Sequence, residues 1–112
     1  MADKRRYARI PESLEISYRC IPDSKVADFI TKDISEGGIC FFVQKFLPIG
    51  SLLRVKVKLK KIYFAFEALA QVKWITKNTT EERFEVGAIF IDISLEAKKR
   101  LAEYINDSLK KK

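Results

Sequence analysis

Two short stretches hold the residue types that binding chemistry would need. The first is Lys4-Arg5-Arg6-Tyr7-Ala8-Arg9. A guanidinium is a planar fork of donors. It can hold guanine O6 and N7 with two bonds, clamp a phosphate, or stack on a base face. Arg5, Arg6 and Arg9, so close in sequence, suit an anionic ligand that carries guanine. The plainer reading is a solvated basic tail that aids solubility or binds nucleic acid without specificity. The second stretch is Asp33-Ile34-Ser35-Glu36-Gly37-Gly38. Two of the chain's four glycines stand together here, so the backbone is expected to need positive φ or the close approach of another group. Asp33 and Ser35 are two apart and point the same way on an extended chain. A carboxylate can accept from the N–H edge of guanine, and a hydroxyl can bond a base or a phosphate. The plainer reading is a hairpin whose turn is capped by Asp33 or Ser35.

Composition narrows the chemistry. The chain has 112 residues, of which 47% are hydrophobic, enough for one domain with a real core. Its 22 Lys and Arg against 15 Asp and Glu leave a net charge of +7, which favours anionic partners. There is no His. That removes His-based acid–base catalysis and most metal sites, and an enzyme is the least expected class. Cys20 and Cys40 are too few for a four-thiolate zinc site. Both sit in apolar runs and read as buried free thiols of a reducing compartment, with a single disulfide between them as the alternative. No apolar run reaches the ~18 residues of a membrane span. The charged start MADKRRYARI lacks the apolar region of a secretory signal. A cytoplasmic, non-catalytic binding domain with no cofactor is expected.

The elements that must position the two stretches are read from periodicity. Residues 1–13 form a basic N-terminal segment. Leu14–Cys20 alternates cleanly and predicts a half-buried strand. Pro22 and Asp23 mark a turn. A second strand runs from about Val26 to Ile34. Ile39–Gln44 is a third, apolar throughout and so expected to be buried on both faces. Leu53–Lys60 alternates Leu53, Val55, Val57 and Leu59 with Arg54, Lys56, Lys58 and Lys60, a core face and a basic ladder. Tyr63–Lys77 places Phe66, Ala68, Ala70, Val72 and Trp74 on one parity. Arg83–Ile93 is the last strand. The period then changes: Ser94 can cap a helix over about 95–109 that buries Ala97, Leu101, Tyr104, Ile105, Ser108 and Leu109. Strands followed by one helix predict an all-β domain over 14–112, an antiparallel barrel or closed sandwich with a C-terminal helix.

Together the two stretches resemble the motifs of the PilZ domain family of cyclic di-GMP receptors, RxxxR and (D/N)xSxxG. Arg5 and Arg9 fill the first, and Asp33, Ser35 and Gly38 the second. The likeness extends to Leu47-Pro48-Ile49-Gly50, Val72-Lys73-Trp74 and Gly87-Ala88-Ile89-Phe90. It implies a six-stranded antiparallel β-barrel with a C-terminal helix, in a bacterial cytoplasm. It also implies that residues 1–13 clasp cyclic di-GMP against the outer barrel surface. Arg5 and Arg9 would take the guanine and phosphate edges, Asp33 and Ser35 would read a guanine or sugar side, and Gly38 with Gly37 would admit close approach. Lys4 would bear on whether one dinucleotide or a stacked pair binds. Arg6 either joins the ligand or faces solvent.

Trp74 has two readings: core or barrel-mouth packing, which its parity favours, or a surface that stacks a base. The basic ladder reads as a solvated outer face. The leading function is a single-domain cyclic di-GMP receptor that signals to a partner protein. The alternatives are a PilZ-like protein–protein adaptor without nucleotide and a small barrel that binds single-stranded nucleic acid. Core parities for Phe64, Phe66, Phe84 and Phe90 argue against the last.

Overall fold

A computed structural model describes residues 8–21 and 26–110. Six strands form a closed antiparallel barrel in the order β1-β2-β3-β6-β5-β4. They are β1 (Glu15–Cys20), β2 (Ala27–Ile34), β3 (Gly38–Val43), β4 (Leu52–Leu59), β5 (Phe64–Asn78) and β6 (Arg83–Ile93), followed by helix α1 (Leu95–Lys110). The predicted strands and helix are all present, with ends shifted by a residue or so. Closure pairs β1 with β4, so the sheet has no free long edge.

Alternation decides what goes inside. Leu53, Val55, Val57 and Leu59 of β4 are fully buried, while Arg54, Lys56, Lys58 and Lys60 face out. β3 is covered on both sides: Ile39 and Phe41 fill the interior, and Cys40 is buried beneath the outer surface. Ser94 caps α1 by accepting the Ala97 N–H at 3.1 Å. Ala97, Leu101, Tyr104 and Ile105 join the barrel's core, as their spacing predicts, whereas Leu109 stays 36% exposed.

Three irregularities shape the outer face. A register shift between Thr31 and Asp33 leaves Lys32 without a partner on β3. Another at Lys73 reverses parity, pairing Trp74 with Gly87 and Ile75 with Val86. A third, between Leu69 and Ala70, does the same for β6: Ala70 pairs with Phe90 but Leu69 with Asp92 and Ala68 with Ile93. The single parity expected along Tyr63–Lys77 therefore breaks part-way. Trp74 leaves the interior and is 41% exposed. A bulge adds a residue to one strand only, so every side chain beyond it changes face. The turn before β4 closes against this region. Gly50 has φ +92°, its N–H donates to the Val72 carbonyl at 2.8 Å, and the Val72 N–H donates to Ser51 at 3.0 Å.

The described part of the N-terminal segment is built into the barrel. Ile10 is buried and bridges Ile34, each N–H donating to the other's carbonyl at 3.0 and 3.1 Å. Thr31, also buried, accepts the Leu14 N–H at 2.9 Å and donates to the Glu12 carbonyl at 2.7 Å. These bonds fix Ile10, and with it Arg9, beside the end of β2.

Candidate functional site

The bridge between Ile10 and Ile34 brings the two chemical stretches together. Arg9 Nη1 donates to Asp33 Oδ1 at 2.6 Å, across 24 residues of sequence. Both side chains are about one quarter exposed, 25% and 23%. The Arg9 Nε is buried and has no partner among the described residues. Arg5, Arg6, Lys4 and Tyr7 lie outside the described residues.

From Asp33 a continuous row crosses the outer barrel. Asp33 pairs with Cys40, Cys40 with Gly87, and Gly87 with Trp74. Three strand spacings separate its ends, about 14 Å. One end holds the Arg9–Asp33 pair and the other the indole. The middle is low, because Gly87 has no side chain and the Cys40 thiol is buried. A β-carbon at residue 87 would overlap the indole of Trp74, with Cζ2 at 2.6 Å. The ring therefore lies across the Gly87 backbone. The result is a shallow platform with an ion pair at one end and an aromatic face at the other.

Beside the platform is a small polar network. Cys40 Sγ donates to Glu85 Oε2 at 3.3 Å, and Lys32 Nζ donates to the same oxygen at 3.0 Å. Burial, then the bond to Glu85, pushes the Cys40 thiol up to about 12. It is a structural thiol rather than a nucleophile. Burial raises the Glu85 carboxyl, but the bonds from Lys32 and Cys40 outweigh it and the net shift is downward. Glu85 in turn holds Lys32 in its charged form. Cys20 and Cys40 form no disulfide.

The turn from Asp33 to Gly38 departs from the expectation. Ser35 does not point outward beside Asp33. It is 3% exposed, its Oγ accepts the Gly37 N–H at 3.1 Å, and it faces the Gly38 carbonyl at 3.5 Å. The Ser35 N–H donates to the same Gly38 carbonyl at 2.9 Å. The hydroxyl is spent on the turn, as the plainer reading had it. Neither Gly37 nor Gly38 has positive φ. What approaches Gly38 is the barrel itself: a β-carbon there would overlap the Ala88 carbonyl oxygen and come within 3.1 Å of the Ile89 Cα. Gly37 is similarly tied to β6, its carbonyl accepting the Phe90 N–H at 2.9 Å. Sequence reasoning missed the roles of Thr31 and Cys40, which look like ordinary strand residues, and noted Gly87 only as part of a family motif; its place under the Trp74 ring needs the partner strand to be known.

A family model described as the PilZ domain matches residues 3–107. This chain belongs to the PilZ domain family. Solved PilZ structures share its fold. The Bacillus subtilis inhibitor of motility (MotI/DgrA) is 21% identical, with a TM-score of 0.85 over 99% of this chain and 54% of its own. The PilZ domain of Escherichia coli YcgR, solved with c-di-GMP, is 20% identical, with a TM-score of 0.72 over 97% of this chain and 93% of its own. MrkH of K. pneumonia, also solved with c-di-GMP, is 20% identical, with a TM-score of 0.77 over 96% and 52%. This PilZ chain thus spans about half the length of MotI and of MrkH. No curated protein matches it significantly. Among the described residues, no helix is long and apolar enough to cross a membrane, and no group of His, Cys, Asp and Glu could hold a metal.

Proposed function

We propose that this PilZ protein is a cyclic di-GMP receptor that binds the dinucleotide on the platform between Arg9–Asp33 and Trp74. The observation that supports this reading is the cross-strand row itself. It offers a donor fork, a carboxylate and an aromatic face, spaced for a flat ligand with two purines and two phosphates. Arg9 would take a guanine edge or a phosphate, and Asp33 would accept from a guanine N–H edge. The indole of Trp74 would stack a base. Arg5 would supply a second fork, with Lys4 and Arg6 beside it, as the N-terminal segment closes on the ligand. Ser35, Gly37 and Gly38 act indirectly, by shaping the turn that presents Asp33. This differs from a direct contact by each motif residue.

The energetics suit a signalling receptor. Each charge-assisted hydrogen bond contributes roughly 1.5–3 kcal/mol, and ordering each residue of a clasp costs about 1–2 kcal/mol. A net of about −8 kcal/mol, micromolar affinity, is the expected scale. Arg9 is already held beside the platform, so little of that cost falls on it. The protein acts without catalysis, in a bacterial cytoplasm. A change in the surface around the N-terminal segment carries the signal to a partner protein.

Calorimetry tests the reading. Titration with cyclic di-GMP gives a saturable signal that weakens as salt rises. GTP and a short single-stranded DNA give none of comparable affinity. Arg9→Ala removes the dinucleotide signal while thermal unfolding stays cooperative. Full affinity in Arg9→Ala would refute the site.

A further inference from the structure

The basic ladder of β4 is not uniform once the barrel closes. Lys58 and Lys60 both pair with Glu15 of β1, Lys58 at 3.8 Å. Arg54 and Lys56 have no such partner among the described residues, nor does Arg19 of β1. Arg19 and Arg54 stand directly opposite each other across the β1–β4 ladder. Like charges in that relation repel and destabilise a sheet. Four residues along β1, Glu15 answers Lys58 and Lys60; among the described residues no carboxylate forms an ion pair with Arg19 or Arg54.

The neighbourhood of the two arginines is partly apolar. Val26 is 63% exposed, and half-buried Leu69 is the cross-strand partner of Arg54. A hollow of about 210 Å³ opens here, lined by Ser17, Arg19, Val26, Arg54, Lys56 and Glu67. Carboxylates border it: Asp28 pairs with Ser17, and Glu67 with Lys56. This surface lies on β1, β4 and the first half of β5, away from the Asp33–Trp74 row.

We propose that this hollow is a docking site for a protein partner that presents paired carboxylates beside an apolar side chain. Two guanidiniums side by side match two carboxylates in charge and in fork geometry. Arg next to exposed aliphatic surface is the composition of a protein–protein hot spot. Asp28 and Glu67 confine the positive charge to the patch around the two arginines, an extent that fits a compact acidic segment and not a continuous phosphate backbone or an anionic bilayer. None of the lining residues is aromatic and exposed, as a single strand of nucleic acid would require. The site stands independently of the nucleotide.

The probe is a fluorescein-labelled peptide of alternating glutamate and leucine, followed by anisotropy and by amide chemical shifts of the labelled protein. The expected result is saturable binding with shifts centred on Arg19, Arg54 and Lys56. Arg54→Glu should weaken it at least tenfold and leave the cyclic di-GMP isotherm unchanged. The same substitution places unlike charges opposite each other, so Tm should rise by about 2–4 °C. Loss of binding in a more stable protein cannot come from misfolding. Three outcomes would overturn the proposal: shifts that map elsewhere, peptide binding unaffected by Arg54→Glu, or tighter binding by single-stranded DNA or phosphatidylserine vesicles through the same residues.

Discussion

The indole of Trp74 occupies the space that a side chain on Gly87 would fill. The two residues are cross-strand partners on the outer face of β5 and β6. One residue's missing β-carbon is thus the other's resting place. Gly87→Ala should push the ring off the platform. Trp74 is the chain's single tryptophan, so its fluorescence reports this alone. Emission should shift to the red and become more accessible to iodide, and affinity for cyclic di-GMP should fall about tenfold, or ~1.4 kcal/mol. Unaltered emission would mean that the ring does not depend on Gly87.

Asp33 and Ser35 separate by role. Ser35→Ala removes a buried hydroxyl's bonds within the turn and should cost about 1 kcal/mol of stability by urea unfolding. Asp33→Ala breaks a partly exposed pair with Arg9, expected to cost under about 1 kcal/mol. Ligand affinity should show the reverse order, with the larger loss in Asp33→Ala. Equal affinity losses in two equally stable variants would contradict this division.

Alkaline pH should destabilise the fold. The Cys40 thiol is pushed up from 9.0 to about 12 and the Tyr18 hydroxyl from 10.0 to about 12, both by burial first. Each group is neutral when protonated, so the folded state retains these protons more tightly than the unfolded chain. Their contribution is whole below pH 9 and is lost as pH rises towards 12. Tm measured from pH 8 to 11 should fall, and less steeply in Cys40→Ala. Parallel slopes would show that Cys40 is not a source of the effect.

Tyr104 is 4% exposed, and its hydroxyl has no hydrogen-bond partner among the described residues. An unsatisfied buried hydroxyl costs about 1–3 kcal/mol. Tyr104→Phe should therefore leave stability unchanged or raise it by about 1 kcal/mol, read as a higher urea midpoint at constant m-value. A loss above ~1 kcal/mol would reveal a partner for the hydroxyl.

Much of this protein was legible in the order of its residues. The period-two run from Leu53 to Lys60, the apolar block Ile39–Val43, and the change of period after Ser94 each specify an element through local chemistry. RxxxR and DxSxxG singled out two distant stretches, and the fold joins them at Arg9 and Asp33. The fates of individual side chains were less accessible. Val72, Lys73 and Trp74 continue an unbroken alternation on paper, yet the bulge at Lys73 turns Trp74 outward. Whether a strand carries an extra residue depends on its partner's register and on the Gly87 backbone beneath the ring. Ser35 likewise shares a parity with Asp33 until the chain turns. Its hydroxyl then accepts the Gly37 N–H within the turn. Sequence periodicity sets which elements form, because burial and backbone geometry act over neighbouring residues. Which side chains stay available to a ligand was decided by contacts between strands, which exist only when the barrel is closed.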